Sequence, residues 1–221
     1  NSTSNGANIQ QNFIGEFKIG GIRNRVIIGL DYLSQKTNNS NSPYILFDLV
    51  NSIGTPANYA SITRSAVEAK IAAASGPAKT STLNKVYSAY VSDVVNITDE
   101  LGAMLSLRVD RFDNKGTYNI ATGVSTGKYL QTALSPKFGL TYNLVKDQVA
   151  LFANYMNGFK NLAPVIQPLA DINGTFKPQQ ANQIEGGVKA DLFRNKLNIT
   201  ASYFDIKVDN IIRAESINRD G

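Results

Sequence analysis

Apolar and polar side chains alternate with a period of two through most of this chain, the pattern of strands that bury or shelter one face. Phe13, Gly15, Phe17 and Ile19 alternate with Asn12, Glu16 and Lys18. Gly20, Gly21 and Asn24 then supply turn chemistry, and Val26, Ile28, Leu30 and Tyr32 return on one face against Arg25, Gly29, Asp31 and Gln35. These two segments predict a hairpin. The same beat recurs around Leu101 to Val109, Leu134 to Tyr142, Val149 to Tyr155, Ile184 to Leu192 and Leu197 to Tyr203. With 85–98, whose faces stay ambiguous because Asp93 shares one with Val91 and Val95, the pattern predicts an all-β meander of about eight or nine antiparallel strands. Pro136 falls near the top of one of them, so either that strand begins there or a bulge accommodates the ring.

The connections carry as much information as the strands. Tight turns are expected near 20–24, 99–100, 145–148 and 194–196, with long polar links near 38–84, 113–130 and 158–181. Short and long connections therefore alternate. In an up-and-down meander successive connections lie at opposite ends, so this order puts every long loop on one side, as in outer-membrane barrels with short periplasmic turns. A Greek-key sandwich gives no reason for such sorting. Strands of roughly 10 to 13 residues also suit a tilted membrane crossing better than an ordinary globular sheet. One helix is expected, near 61–74 inside the long loop 38–84, with Ile62, Ala66, Ala69 and Ala73 as its apolar stripe and Gly76-Pro77 beyond its end.

Composition narrows the chemistry. Among 221 residues there is no Cys and no His, which excludes Ser-His and Cys-His dyads, zinc fingers and histidine-held metals. The net charge of +5, from 22 basic and 17 acidic residues, is mild and unclustered, which argues against nucleic-acid binding. Charged residues make up 18%, below the roughly 25% usual in soluble domains, and Asn, Ser, Thr and Gly fill the gap. Strand faces opposite the apolar ones are thus polar but mostly uncharged, which suits a wet barrel lumen. Tyr32, Tyr142 and Tyr155 lie on apolar faces near strand ends, where an aromatic girdle would sit. The opening Asn1 and the lack of a signal-like start suggest a portion of a longer protein.

Several segments resemble a known family. Leu134-Ser135-Pro136-Lys137-Phe138-Gly139-Leu140-Thr141-Tyr142, followed by Leu151-Phe152-Ala153-Asn154-Tyr155-Met156-Asn157-Gly158-Phe159, is similar to paired strands of TonB-dependent outer-membrane receptors. Lys177-Pro178-Gln179, Ile184-Glu185-Gly186-Gly187-Val188-Lys189 and Ala201-Ser202-Tyr203-Phe204-Asp205-Ile206 follow in the family's order. Ala89-Tyr90-Val91-Ser92-Asp93 and Leu107-Arg108-Val109-Asp110 resemble its upstream strands, whereas Gln179 and Ser92 depart from its usual Glu and Gln. The resemblance implies an internal portion of a 22-stranded β-barrel of the Gram-negative outer membrane, with plug domain and remaining strands absent from this chain. It implies import of a scarce ligand, driven by the TonB complex through that plug. A ferric siderophore is the preferred ligand, because Ser42 to Asp48 and Pro56 to Tyr59 loosely resemble a loop of siderophore receptors. Cobalamin or a glycan are the alternatives within the family, and no cofactor is implied.

Ligand capture in the family uses aromatic and cationic side chains of the extracellular loops. Tyr and Phe offer rigid apolar area at little entropy cost, and Arg forks onto carboxylate or hydroxamate oxygens. Tyr44, Phe47, Tyr59, Arg64, Tyr118, Tyr129 and Phe159 are the candidates, although each has a plainer role as a loop residue packing on its neighbours. The carboxylates Asp110 and Asp113, or Asp205 and Asp209, could pair for acid–base work, but a strand exit and the chain's end favour solvated charges. Outside the family, the sequence is compatible with a soluble β-rich binding or adhesion module, and least with an enzyme. The deciding question is whether the apolar faces meet lipid or a second layer of protein.

Overall fold

The computed structural model describes residues 1–42, 45, 62–74, 76–164, 176–194 and 196–212. The elements are β1 (Ser2–Ile19), β2 (Ile22–Asn41), α1 (Arg64–Ala73), β3 (Ala78–Asn96), β4 (Leu101–Asn119), β5 (Ser125–Thr126), β6 (Tyr129–Val145), β7 (Val149–Lys160), β8 (Gln179–Leu192) and β9 (Leu197–Asp209). They form one sheet in the order β1-β2-β3-β4-β6-β7-β8-β9, with β5 hung on β4, and every pairing is antiparallel.

Residues directly opposite each other in an antiparallel ladder share a face, so the register can be followed from strand to strand. Ile28 faces Val91, Val91 faces Leu107 and Leu107 faces Pro136. The next row holds Val26, Asp93, Leu105, Phe138, Tyr155 and Ile184. One face of the sheet is therefore apolar across its width, and Val91, Asp93 and Val95 all lie on it. The opposite face carries Gly29, Tyr90, Arg108 and Ser135 in one row. The meander is as the sequence predicts, and the ambiguous segment 85–98 takes its faces from its neighbours.

Among the described residues, no second sheet stacks on either face. Ala133 is the one buried hydrophobic residue among the described residues, and no large side chain is fully enclosed. The chain exposes 16314 Å², against roughly 10,000 Å² for a compact soluble protein of this mass. A sandwich would bury its inner face between layers; this sheet has no second layer among the described residues.

The strands outrun the sequence pattern. β2 has 20 residues and β3 and β4 have 19 each, so the ladder climbs into both neighbouring links that read as loops, 38–84 and 113–130. Thr37, Asn38 and Asn39 pair with Thr82, Ser81 and Thr80, polar on both faces. Above a lipid band both faces are wet, so alternation disappears while backbone pairing persists. The links that remain are 42–77, 120–128 and 161–178. Pro136 neither starts its strand nor sits in a bulge. β6 begins at Tyr129 and the β4 register runs unbroken through Pro136, whereas pairing with β7 starts only at Lys137. The missing N–H is tolerated where one neighbour peels away.

Helix α1 occupies Arg64–Ala73, within the expected stretch, capped by Thr63, whose hydroxyl accepts from the Ala66 amide at 3.3 Å. None of its residues is buried; Ile62, Ala69 and Ala73 of the proposed apolar stripe are exposed and Ala66 is half-buried. Tyr32 lies on the apolar face with its ring 5.1 Å from Tyr87, and Tyr155 stacks on Phe138 at 5.8 Å.

Candidate functional site

The polar face holds a cluster of charged and polar groups that spans β1 to β4. Gly29 makes it possible. It stands opposite Tyr90, and a Cβ there would collide with the phenol ring, so the absent side chain lets Tyr90 lie across β2. The hydroxyl then donates to Asn12 Oδ1 and accepts from Gln10 Nε2 at 2.8 Å, both on β1. Arg108 of β4 lies over the same ring, 5.4 Å from its centroid. Its guanidinium donates to Asp110 through Nε at 2.9 and 3.0 Å and reaches Asp31 Oδ2 at 3.3 Å. Ser88 Oγ donates to Asp110 Oδ1 at 2.5 Å, and Asp110 is 3% exposed. Asp110 is thus no strand-exit carboxylate. It is buried in the wall, and Asp113, three positions on, belongs to the other face and pairs with Lys115 at 2.6 Å.

Beside this cluster is a basin of about 440 Å³ lined by Tyr90, Arg108, Lys137, Asn157 and Phe159, with hydroxyls from Ser92, Ser106 and Ser135. Arg108 is committed to two carboxylates, whereas Lys137 has no ion pair among the described residues. Ser135 Oγ is buried without a hydrogen-bond partner. The Asn157 side chain instead donates to Asn182 Oδ1 beside the Tyr155 hydroxyl, on the apolar face. A cation, an unsatisfied hydroxyl and an aromatic residue in the lining of an open space suit an anionic, oxygen-rich guest.

The sequence-named residues fare unevenly. Tyr44, Phe47 and Tyr59 lie outside the described residues. Phe159 lines the basin. Tyr129 lies tilted against Phe112, ring centres 5.5 Å apart, at the long-loop end of β6. Tyr118 stands near the end of β4, opposite Ser81 and Ser125. Arg64 opens α1 and pairs with Glu68 at 2.7 Å, almost fully in solvent. Of the described candidates, then, the basin takes in Phe159 alone. The sequence reading missed Lys137 and Arg108 as members of one site, although both lie in the quoted family segments. Their shared signal is a cation on the polar face of a strand. A further feature joins this end of the sheet to a loop: Gln131 donates at 2.7 Å to the carbonyls of Leu162 and Phe176 and accepts from the Leu162 amide at 3.0 Å.

A one-layer meander with an apolar face, a polar face and all its tight turns at one end is the wall of a transmembrane β-barrel. The TonB dependent receptor-like, beta-barrel family matches residues 1–221, and the chain belongs to that family of outer-membrane transport receptors. The metal-pseudopaline receptor CntO of Pseudomonas aeruginosa is 27% identical over 136 residues, which is 58% of this chain and 18% of CntO. Among solved structures, the ferric-catecholate import receptor Fiu of E. coli K12 has a TM-score of 0.70 and 19% identity over 100% of this chain and 33% of its own. The alcaligin outer-membrane receptor FauA of Bordetella pertussis has a TM-score of 0.67 and 17% identity over 97% of this chain and 32% of its own. The chain spans about a third of these solved receptors and 18% of the curated relative.

Proposed function

We propose that this chain is part of the barrel wall of an outer-membrane receptor that imports a ferric siderophore, energised by the TonB complex acting on a plug domain. The observation that carries this reading is the basin on the polar face, where Lys137, free of any ion pair among the described residues, stands beside Arg108 and the unsatisfied Ser135 Oγ, with Phe159 in the lining. An anionic chelate presents carboxylate, catecholate or hydroxamate oxygens to such cations and a flat apolar edge to such a ring. The names of the relatives, receptors for a metal-pseudopaline complex, a ferric catecholate and alcaligin, support a metal chelate over cobalamin or a glycan. The wider capture surface includes Tyr44, Phe47, Tyr59, Arg64, Tyr118 and Tyr129 on or near the long connections. Lipid meets the apolar face, with Tyr32, Tyr142 and Tyr155 at its borders.

The test uses the full-length receptor in a strain stripped of its other iron receptors. Ferric catecholate, ferric hydroxamate, ferric citrate and a metal-pseudopaline complex are offered in turn, with cobalamin as the contrast. At least one metal chelate restores growth under iron limitation, and K137E weakens its binding by about tenfold, as loss and reversal of a recognition charge does. Rescue by none of the ferric chelates, with receptor-dependent uptake of labelled cobalamin, would overturn the assignment.

A further inference from the structure

Among the described residues, Asp93 is the charged residue of the apolar face whose carboxylate has a buried oxygen without a partner. It lies three positions above the end of β3, between Val26 of β2 and Leu105 of β4. Its Oδ1 is buried with no hydrogen-bond partner, and no ion pair reaches it among the described residues. The nearby cations Arg25 and Lys137 stand opposite Val94 and Ser106, which places them on the other face. A carboxylate held among apolar side chains is costly unless a cation approaches it. The described residues supply none, which leaves the medium that bathes the face as the source of a partner.

The surface beside Asp93 has a shape that suggests which medium. A furrow of about 330 Å³ is lined by Asp93, Val91, Leu105, Leu107, Pro136 and Phe138. In the register, Val91, Leu107 and Pro136 form the row next to Asp93 on the side away from the tight turns. The furrow therefore starts at a carboxylate near the short-turn end and runs, apolar, towards the middle of the sheet. That is the outline of a phospholipid standing in the periplasmic leaflet: a charged head near the interface and an acyl chain rising beside it.

We propose that Asp93 and this furrow bind a phospholipid with a primary-ammonium headgroup, the ammonium pairing with the Asp93 carboxylate and one acyl chain lying along Val91, Leu107 and Pro136. The proposal rests on the reading that the apolar face meets a bilayer with its short turns on the periplasmic side. A zwitterionic amine lipid fits the charge, and an anionic lipid is repelled by it.

The experiment is native mass spectrometry of the full-length receptor taken from nanodiscs of equal phosphatidylethanolamine and phosphatidylglycerol. The wild-type protein retains the ethanolamine lipid in preference by about fivefold, the scale of a partly exposed ion pair. D93N, nearly isosteric, brings the preference close to unity, and D93K turns it towards phosphatidylglycerol. L107W, which fills the furrow and keeps the charge, lowers total lipid retention. Heat-modifiable migration on gels reports insertion separately. A protein that never inserts overturns the barrel reading together with the site, whereas an inserted protein with no lipid preference, or a D93N variant that keeps it, overturns the site alone. Should D93N fail to fold, L107W decides, since unchanged retention there is equally fatal. A co-purifying protein lost with D93N, with lipid retention unchanged, would also overturn it.

Discussion

The ring of Tyr90 occupies the space that a side chain on Gly29 would take, and this exchange sets the geometry of the polar wall. Phe152 lies over Gly187 in the same way, with the Lys189 ammonium 5.3 Å from its ring. Bare backbone and flat ring together fill one cross-strand position. G29V expels the Tyr90 ring, breaks its bonds to Asn12 and Gln10, and lowers stability by about 2 kcal/mol, read as a drop in the temperature of heat-modifiable unfolding. Arg108 is the second pivot. R108M leaves the buried Asp110 carboxylate without its main counter-charge and costs about 2 kcal/mol, below the full price of a deeply buried pair because the guanidinium is about a third exposed. Combined with D110N the cost shrinks, since the unpaired charge is gone; a double-mutant cycle measures the difference. The pair Arg108 and Asp110 is visible in the sequence as two polar positions on one strand. Asp31, 77 residues from Arg108, enters only through the register of three strands.

At the level of elements, turn chemistry and strand length obey different rules. Gly20 and Gly21 both adopt positive φ, at 57° and 87°, and close the β1 to β2 hairpin with no Cβ penalty. The β8 to β9 turn reaches similar angles with Phe193 at 54° and Arg194 at 58°, where L side chains are disfavoured. R194G therefore stabilises the sheet by about 1 kcal/mol, seen as a higher unfolding midpoint in detergent. The turn between β3 and β4 is fixed instead by Thr98, whose hydroxyl accepts from the Glu100 and Leu101 amides at 3.2 and 3.0 Å. These turns were legible from Gly, Asn, Asp and Thr. The upper reaches of β2, β3 and β4 were not, because period-two alternation marks only the part of a strand whose two faces meet different media. Polar residues pairing with polar residues above that band look, in one dimension, like a loop.

At the scale of the molecule, the described residues form neither a buried core nor closed sheet edges. β1 and β9 each have one unpaired side among the described residues, and Phe13, Leu30, Leu105, Phe138 and Leu140 are all about half exposed. Such a surface is stable against hydrocarbon and unstable in water. Residues 1–221 prepared alone in buffer associate through their edges and apolar faces, and detergent disperses them; size-exclusion chromatography with and without detergent checks this. A monodisperse monomer in plain buffer would contradict the lipid-facing assignment.

The amino-acid sequence alone determined that the chain is a meander, that its long connections fall on one side, and that one face of each strand is apolar, because these properties follow from local alternation and turn chemistry. Its family segments were legible for the same reason, since they too are local. Tertiary structure alone decided which face Asp93 takes, how Arg108 joins residues from β2, β3 and β4, and which cations share a basin. Those are matters of register between strands, and register is a sum over many backbone pairs that no single stretch of sequence contains.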